Sequence, residues 1–452
     1  MAQLMVVLDA TIVNIALPSA QRALGFSTTD RQWVITAYAL AFGGLLIVGG
    51  RLSDLLGRKR TFAAGLAGFA AASALGGAAP DFGALVAARA VQGAFGALLA
   101  PSALALLITT FTGERERGKA LGIYTAIAGG GGAVGLILGG VLTEYLSWRW
   151  CLYVNVVFAA LALAGAIPLI RNQPRNPAAR LDVPGSVLAA GGLVGIVFGF
   201  SQASTHSWGA AATIGPIVAG VAFLGAFVAV ERRVAHPLVP LAIIANRTRG
   251  SAYLGALIAG IGLIGSFLLI TYYLQDVRGF SPLRAGLAFL PFIAGVVVAA
   301  NFVSNRGLKR FGPKLIVPAG MFLAAAAAGW LTGLSVHGGY GTRVAPALVL
   351  LGLGTGAIVT TAFSLGPAGA RPADSGVAAA LVNSSNQLGG SLGAALLNTI
   401  AATAAASYLT QHQPHASLQY ATVHGDVTAF TFLAILFAAG AVTTALLFPR
   451  HR

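Results

Sequence analysis

Two long apolar runs, residues 34–48 and 62–79, are joined by Gly50-Arg51-Leu52-Ser53-Asp54-Leu55-Leu56-Gly57-Arg58-Lys59-Arg60, which places five charges in eleven residues. A charged hairpin between two apolar runs reads as a short turn at a membrane surface. The pattern recurs along the whole chain. A helix needs about 20 apolar residues to cross the hydrocarbon core. Fourteen such runs are found, at residues 1–20, 32–50, 62–79, 83–107, 119–142, 151–170, 183–203, 211–230, 250–273, 284–304, 314–334, 345–366, 377–402 and 426–448. Composition agrees: of 452 residues 57% are hydrophobic and 9% charged, with a mean hydropathy of +0.82. A typical soluble domain carries roughly 25% charged residues. The expected fold class is an all-α polytopic membrane protein.

The net charge of +16 would suggest nucleic acid in a soluble protein, but no stacking or basic-helix module accompanies it, so no nucleic-acid partner is expected. Basic residues instead divide between the two membrane faces. Twenty-one of the 28 Lys and Arg fall in one set of loops and six in the other. Cytoplasmic loops carry the excess of positive charge, so the hairpin and both termini are expected in the cytoplasm. All five tryptophans, Trp33, Trp148, Trp150, Trp208 and Trp330, fall at the opposite ends of the spans, as an interfacial aromatic belt would. The first span starts at Met1 without a basic flank. It has no charged n-region and no cleavage site, so it does not read as a signal peptide.

The hairpin has an echo 255 residues later. In Asn305-Arg306-Gly307-Leu308-Lys309-Arg310-Phe311-Gly312-Pro313-Lys314, Arg306 matches Arg51, Gly312 matches Gly57 and Lys314 matches Lys59, while Lys309 stands where the first copy has Asp54. The repeat implies two six-helix bundles, residues 1–170 and 250–452, with two further helices inserted in residues 171–249. Duplicated halves around a central site are typical of secondary transporters.

Enzyme chemistry has no support: there is no nucleophilic triad, phosphate loop or metal-ligand spacing, and Cys151 is the single cysteine. No cofactor is expected. The candidates are ionisable residues inside spans, which are costly there and so are functional hypotheses by default. Asp9 is the one acid that the span limits place deep in a helix, where it could exchange a proton or attract a cationic substrate. Arg89, early in the fourth span, keeps its charge and needs an acid, carbonyls or water. It either tunes a carboxylate or extends to the nearer surface. Gly131, Gly132, Gly135, Gly139 and Gly140 lie in the fifth span at spacings that let another helix approach closely. Asn383, Asn386 and Gln387 share one helical face. They line a polar cavity or join helices together, and Asn14, Tyr38, Gln92, Gln202 and Asn398 carry the same two readings.

Together these segments resemble the major facilitator superfamily, and within it the fourteen-helix drug:proton antiporter group. The hairpin matches the loop 2–3 signature at Gly50, Asp54, Gly57, Arg58 and Lys59. Leu8-Asp9-Ala10-Thr11-Ile12-Val13-Asn14-Ile15-Ala16-Leu17-Pro18 resembles the first-helix motif, Arg89-x-x-Gln92-Gly93 the fourth-helix motif, and the glycine-rich fifth helix the antiporter motif, although Leu136 stands where that motif has proline. The resemblance implies that Asp9 and Arg89 couple protons to substrate. It also implies that Asp54 and Arg58 form a cytoplasmic latch, with Glu114 or Glu116 as the partner of Arg58. The expected activity is export of small amphipathic or cationic molecules against inward protons, in a bacterial plasma membrane, by a monomer whose partners are substrate, protons and lipid. An importer or metabolite exporter on the same fold is the alternative. A channel or sensor is remote, since no cytoplasmic loop exceeds about twenty residues.

Overall fold

The computed structural model describes residues 1–111, 113–169, 182–203, 206–234, 237–368, 375–412 and 417–449, and among these the regular structure is all helix. A backbone in lipid must bond to itself, and a run of apolar residues does so as a helix. The N-terminal half holds α1 Ala2–Leu24, α2 Gln32–Leu56, α3 Arg58–Gly77, α4 Phe82–Thr110, α5 Glu114–Tyr145 and α6 Trp150–Leu169. Then come α7 Val183–Gln202, α8 Ala211–Glu231 and the short α9 Leu241–Ala245. The C-terminal half holds α10 Arg247–Tyr272, α11 Pro282–Leu287, α12 Leu290–Phe302, α13 Leu308–Phe311, α14 Pro313–Leu331, α15 Ala345–Leu365, α16 Ser375–Gln411 and α17 Leu418–Leu447. Three π-helical turns, Tyr273–Val277, Val303–Gly307 and Tyr340–Val344, extend α10, follow α12 and precede α15.

Among the described residues, each of the fourteen expected runs falls mainly on helix. Among the described residues, twelve helices are long and apolar enough to cross a membrane. The other two runs fall on the Ala- and Gly-rich α3 and on α5, whose described apolar stretch is Gly131–Tyr145. The chain is a multi-pass membrane protein.

The packing order repeats. In the N-terminal half α1 packs on α5 and α6, α2 on α4, and α3 on α4 and α6. In the C-terminal half α10 packs on α16 and α17, α12 on α15, and α14 on α15 and α17. The two loop copies repeat in backbone geometry as well. Gly57 ends α2 at φ 94° and Gly312 ends α13 at φ 68°, a region where a Cβ is strained. The turn therefore requires glycine in both copies.

The ends of the bundle differ. We call the end bearing Arg58 and Arg310 the basic end, and the end bearing the five tryptophans the tryptophan end. The described polar bonds between the halves cluster at the tryptophan end. Arg31 Nε donates to Asn398 Oδ1 at 2.6 Å, and its guanidinium lies 3.8 Å from the centre of the Tyr272 ring. Tyr272 Oη donates to Gln21 Oε1 at 2.6 Å, Gln275 Nε2 to Ile15 O at 3.0 Å, and Leu283 N to Glu144 Oε2 at 3.0 Å.

Helices α7 and α8 pack on each other, and α7 also lies against α2 and α16, one from each half. Trp33 Nε1 donates to Ser201 Oγ at 3.0 Å, and Thr399 Oγ1 donates to Phe200 O at 3.2 Å. Two acids read from sequence as loop residues are buried here. Asp182 caps α7 by accepting from Gly185 N at 2.9 Å. Glu231 accepts from Leu238 N and Val239 N at 3.2 and 3.1 Å, tying the end of α8 to the chain entering the C-terminal half.

Candidate functional site

Helix α1 turns one face inward, and Asp9 lies on it among Met5, Leu8 and Ile12, with 0% of its surface exposed. Helix α4 presents Arg89 and Gln92, three residues apart and so on one face. Arg89 is 2% exposed. Its Nη1 donates to Asp9 Oδ2 at 2.6 Å and to Gln92 Oε1 at 2.7 Å, and its Nε donates to Val34 O of α2 at 3.1 Å. The guanidinium lies 4.3 Å from the centre of the Tyr38 ring, close enough for cation–π attraction. Of the two readings open for Arg89, the structure therefore selects the pairing with a carboxylate over extension to the surface.

The other carboxylate oxygen is held as well. Asp9 Oδ1 accepts from Gln92 Nε2 at 2.7 Å and from Asn155 Nδ2 of α6 at 2.8 Å. Ser73 of α3 closes the network, accepting from Gln92 and Asn155 at 3.0 Å each and donating to Leu152 O at 2.8 Å. Five helices thus converge on one acid, and each of these contacts to Asp9 is a donor. A buried ion pair is costly unless further bonds satisfy it. Here they do, so the network fixes how α1, α2, α3, α4 and α6 meet.

The α5 glycines face α1 on both sides of Asp9. A Cβ on Gly131 would lie 3.1 Å from Val7, one on Gly135 would collide with Thr11, and one on Gly139 would lie 2.9 Å from Ile12 O. Gly132 is looser, 3.8 Å from Thr11. Gly140 faces the other half, where its Cβ would lie 2.6 Å from Leu283 at the start of α11. One helix face therefore rests on the acid-bearing helix while its end touches the opposite bundle. Leu136, in place of proline, sits within an uninterrupted helix.

The remaining candidates divide. Tyr38 and Gln92 join the Asp9 network. Asn14 bonds within its own helix, donating to Ala10 O at 2.9 Å. Asn386 donates to Ala256 O of α10 at 3.1 Å, the helix-joining reading, and Gln387 packs at Gly43 of α2. Asn383 is half-buried on α16. In the hairpin, Gly50 faces Pro101, and Lys59 Nζ donates to Ile167 O of α6 at 2.8 Å, a bond within its own half. Arg58 is half-buried and Glu116 exposed. The side chains of Asp54 and Glu114 lie outside the described residues.

Sequence reading missed Ser73 and Asn155, although Asn155 is the one amide in the apolar run of α6. It also misplaced Asp426. The span was set at 426–448, which put this acid at an end, but α17 begins at Leu418 and Asp426 is 2% exposed within it. Asp9 is therefore not alone as a deeply placed acid. Gln419, Tyr420 and His424 dilute the apolar signal of the first two turns, which is why the helix start was read late. A crevice of about 490 Å³, lined by Trp33, Phe82, Val86 and Phe198 with Asp30 and Gln202, opens between α2, α4 and α7 at the tryptophan end, and Asp9 is not part of its lining.

The repeated packing order and the duplicated turn fit one known family, and the profile described as Major Facilitator Superfamily matches residues 1–394. The chain belongs to that superfamily. Members are transporters, not enzymes. The puromycin resistance protein pur8 of Streptomyces alboniger is 51% identical over 441 residues, covering 97% of this chain and 87% of that protein. The cephamycin export protein CmcT of Amycolatopsis lactamdurans is 37% identical over 449 residues, covering 99% and 90%. Among solved structures, a bacterial homolog of the human lysosomal transporter Spinster, in an inward-facing and unoccupied conformation, superposes with a TM-score of 0.69 at 15% identity, covering 99% of this chain and 94% of that one. An auto-inhibited POT family peptide transporter gives 0.68 at 13% identity, covering 100% and 98%. At such identities the likeness speaks to fold alone.

Proposed function

We propose that this superfamily member exports small amphipathic molecules from a bacterial cell in exchange for inward protons, by alternating access between its two halves. The observation that carries the reading is the solvent-free Asp9–Arg89 pair. Its donor set allows a charge to be handed over. When a proton binds the Asp9 carboxylate, the acid becomes neutral, and Arg89 keeps Gln92 Oε1, Val34 O and the Tyr38 face as partners. When the proton leaves, the ion pair re-forms. Protonation takes away the counter-ion of Arg89, whose charge is then held by these neutral partners alone.

The same geometry supports coupling to movement. Asp9 rides on α1, α1 rests on the glycine face of α5, and α5 meets α11 at the tryptophan end through Gly140 and Glu144. A change in how α1 is held at Asp9 therefore biases a contact between the halves, which is what a two-state transporter needs. The basic end lies in the cytoplasm with both termini, by the excess of positive charge on that side. The bundles at residues 1–170 and 250–452 rock against each other, with 171–249 as the inserted pair. The hairpin residues Asp54 and Arg58, with Glu114 or Glu116, hold the basic end when it closes. The proton gradient supplies the energy, no cofactor takes part, and the monomer is the working unit.

The relatives' names support antibiotics as the substrate class and puromycin as the first compound to try. Expression in an efflux-deficient bacterium should raise resistance to puromycin and lower its accumulation, and an uncoupler should abolish the difference. Increased accumulation, or efflux indifferent to the uncoupler, would contradict the reading.

A further inference from the structure

The carboxyl of Asp426 is buried in α17, and its Oδ2 has no hydrogen-bond partner. A buried carboxyl oxygen without a donor is tolerated in the neutral, protonated acid and is costly in the carboxylate. Its surroundings explain the lack of donors. The guanidinium at this end of the seam is that of Arg31, just before α2, but its Nε is engaged by Asn398 Oδ1 and its plane by the Tyr272 ring. Tyr273, at the π-turn packed on α17, turns its hydroxyl away to Ser335 O at 2.8 Å. Helix α16 contributes no titratable group except Tyr408, and α14 none beyond Lys314 at the basic end. Asp276, in the same π-turn, is paired with Arg22 at 3.6 Å. His424, two residues before Asp426 and so on another face of α17, is exposed and lies 5.1 Å from the Tyr408 ring.

Arg31, Asn398 and Tyr272 sit on the seam that closes the tryptophan end, and Asp426 lies within a turn of Asn398, since a Cβ on its neighbour Gly425 would meet Ala401 O of α16. Arg31 belongs to the N-terminal half, whereas Asp426, Asn398 and Tyr272 belong to the C-terminal half. We propose that Asp426 is a second proton-binding site, one that exchanges protons with the compartment at the tryptophan end and permits that end to close only when it is protonated. The inference rests on the alternation of the two halves proposed above but not on proton antiport. As the end opens, Arg31 withdraws with its half and water reaches Asp426, which releases its proton to water as hydronium. Before the end can close, the carboxylate must take a proton back, because the closed seam offers its Oδ2 no donor. No proton crosses the membrane through this site. It makes closure sensitive to pH, up to tenfold in the closed-to-open ratio per pH unit for a single proton.

The test measures the seam itself. Spin labels are placed at Ser27→Cys and His337→Cys, exposed positions on opposite halves at the tryptophan end, in a Cys151→Ser background, and their separation is followed against pH in nanodiscs. The labelled protein should shift from a short to a long separation as pH rises. Asp426→Asn, a permanently neutral mimic, should stay short throughout, and Asp426→Glu should retain the shift with a moved midpoint. His424→Gln should leave it unchanged. An Asp426→Asn protein that opens with pH as its parent does, or a parent that does not respond to pH, would overturn the proposal. Failure of proton antiport would appear elsewhere, as the absence of gradient-driven transport in a protein whose seam still responds.

Discussion

Asp9 and Asp426 are both acids buried in membrane helices, one in each half, and they are held in opposite ways. Asp9 accepts from a guanidinium and two amides, so its charge is matched within its own bundle. Asp426 has an oxygen with no donor, and the guanidinium at its end of the seam, that of Arg31, belongs to the other bundle. An acid whose counter-ion lies in the same bundle keeps that counter-ion whichever end of the molecule is open. An acid whose counter-ion lies across a seam is bound to whether that seam is open. The difference fits the roles proposed for them, proton coupling at the first and control of closure at the second.

The largest expected effect comes from making Asp9 resemble Asp426. Arg89→Ala leaves a buried carboxylate unpaired and should cost about 3–5 kcal/mol, read as a fall in thermal stability in detergent and a loss of transport. Asp9→Asn combined with Arg89→Gln should regain most of the stability and none of the transport. If Arg89→Ala is as stable as the parent, the pair is not the strut described here. Removing one neutral donor is milder. Asn155→Ala should cost roughly 1–3 kcal/mol and displace the pH profile of transport, while an unchanged profile would confine Asn155 to helix packing.

On the other side of the comparison, Asp426→Asn should leave thermal stability within about 0.5 kcal/mol of the parent or raise it, since no donor loses its acceptor. A large loss would show a bonded carboxylate there. The smallest effect is expected from Tyr38→Phe. The Tyr38 hydroxyl is buried without a partner, and the ring face toward Arg89 is kept. Transport should stay near parental levels, whereas Tyr38→Leu, which removes the face, should cost about 1–2 kcal/mol of cation–π attraction.

Much of this was legible from residue chemistry. A lone Asp in an apolar run and an Arg in another, each without a partner of its own, point to one another, and the hairpin repeat at Asn305 announced two bundles. Asn155 and Ser73 were not found because Asn and Ser are common helix-joining residues, so their type carries little signal until the fold brings them to Asp9. Asp426 was missed for a different reason. A hydropathy window registers average polarity, and the polar first turns of α17 made a helix start look like a loop. The role of the α5 glycines stayed ambiguous for a third reason: spacing shows that a helix can approach, and only the fold shows that the helix is α1.

The central claim is that a proton on Asp9 drives transport, and purified protein in liposomes with an imposed pH gradient tests it most directly. Gradient-driven puromycin movement should be present in the parent and absent in Asp9→Asn, while exchange of labelled for unlabelled puromycin without a gradient persists in both. Gradient-driven transport undiminished in Asp9→Asn would contradict the account.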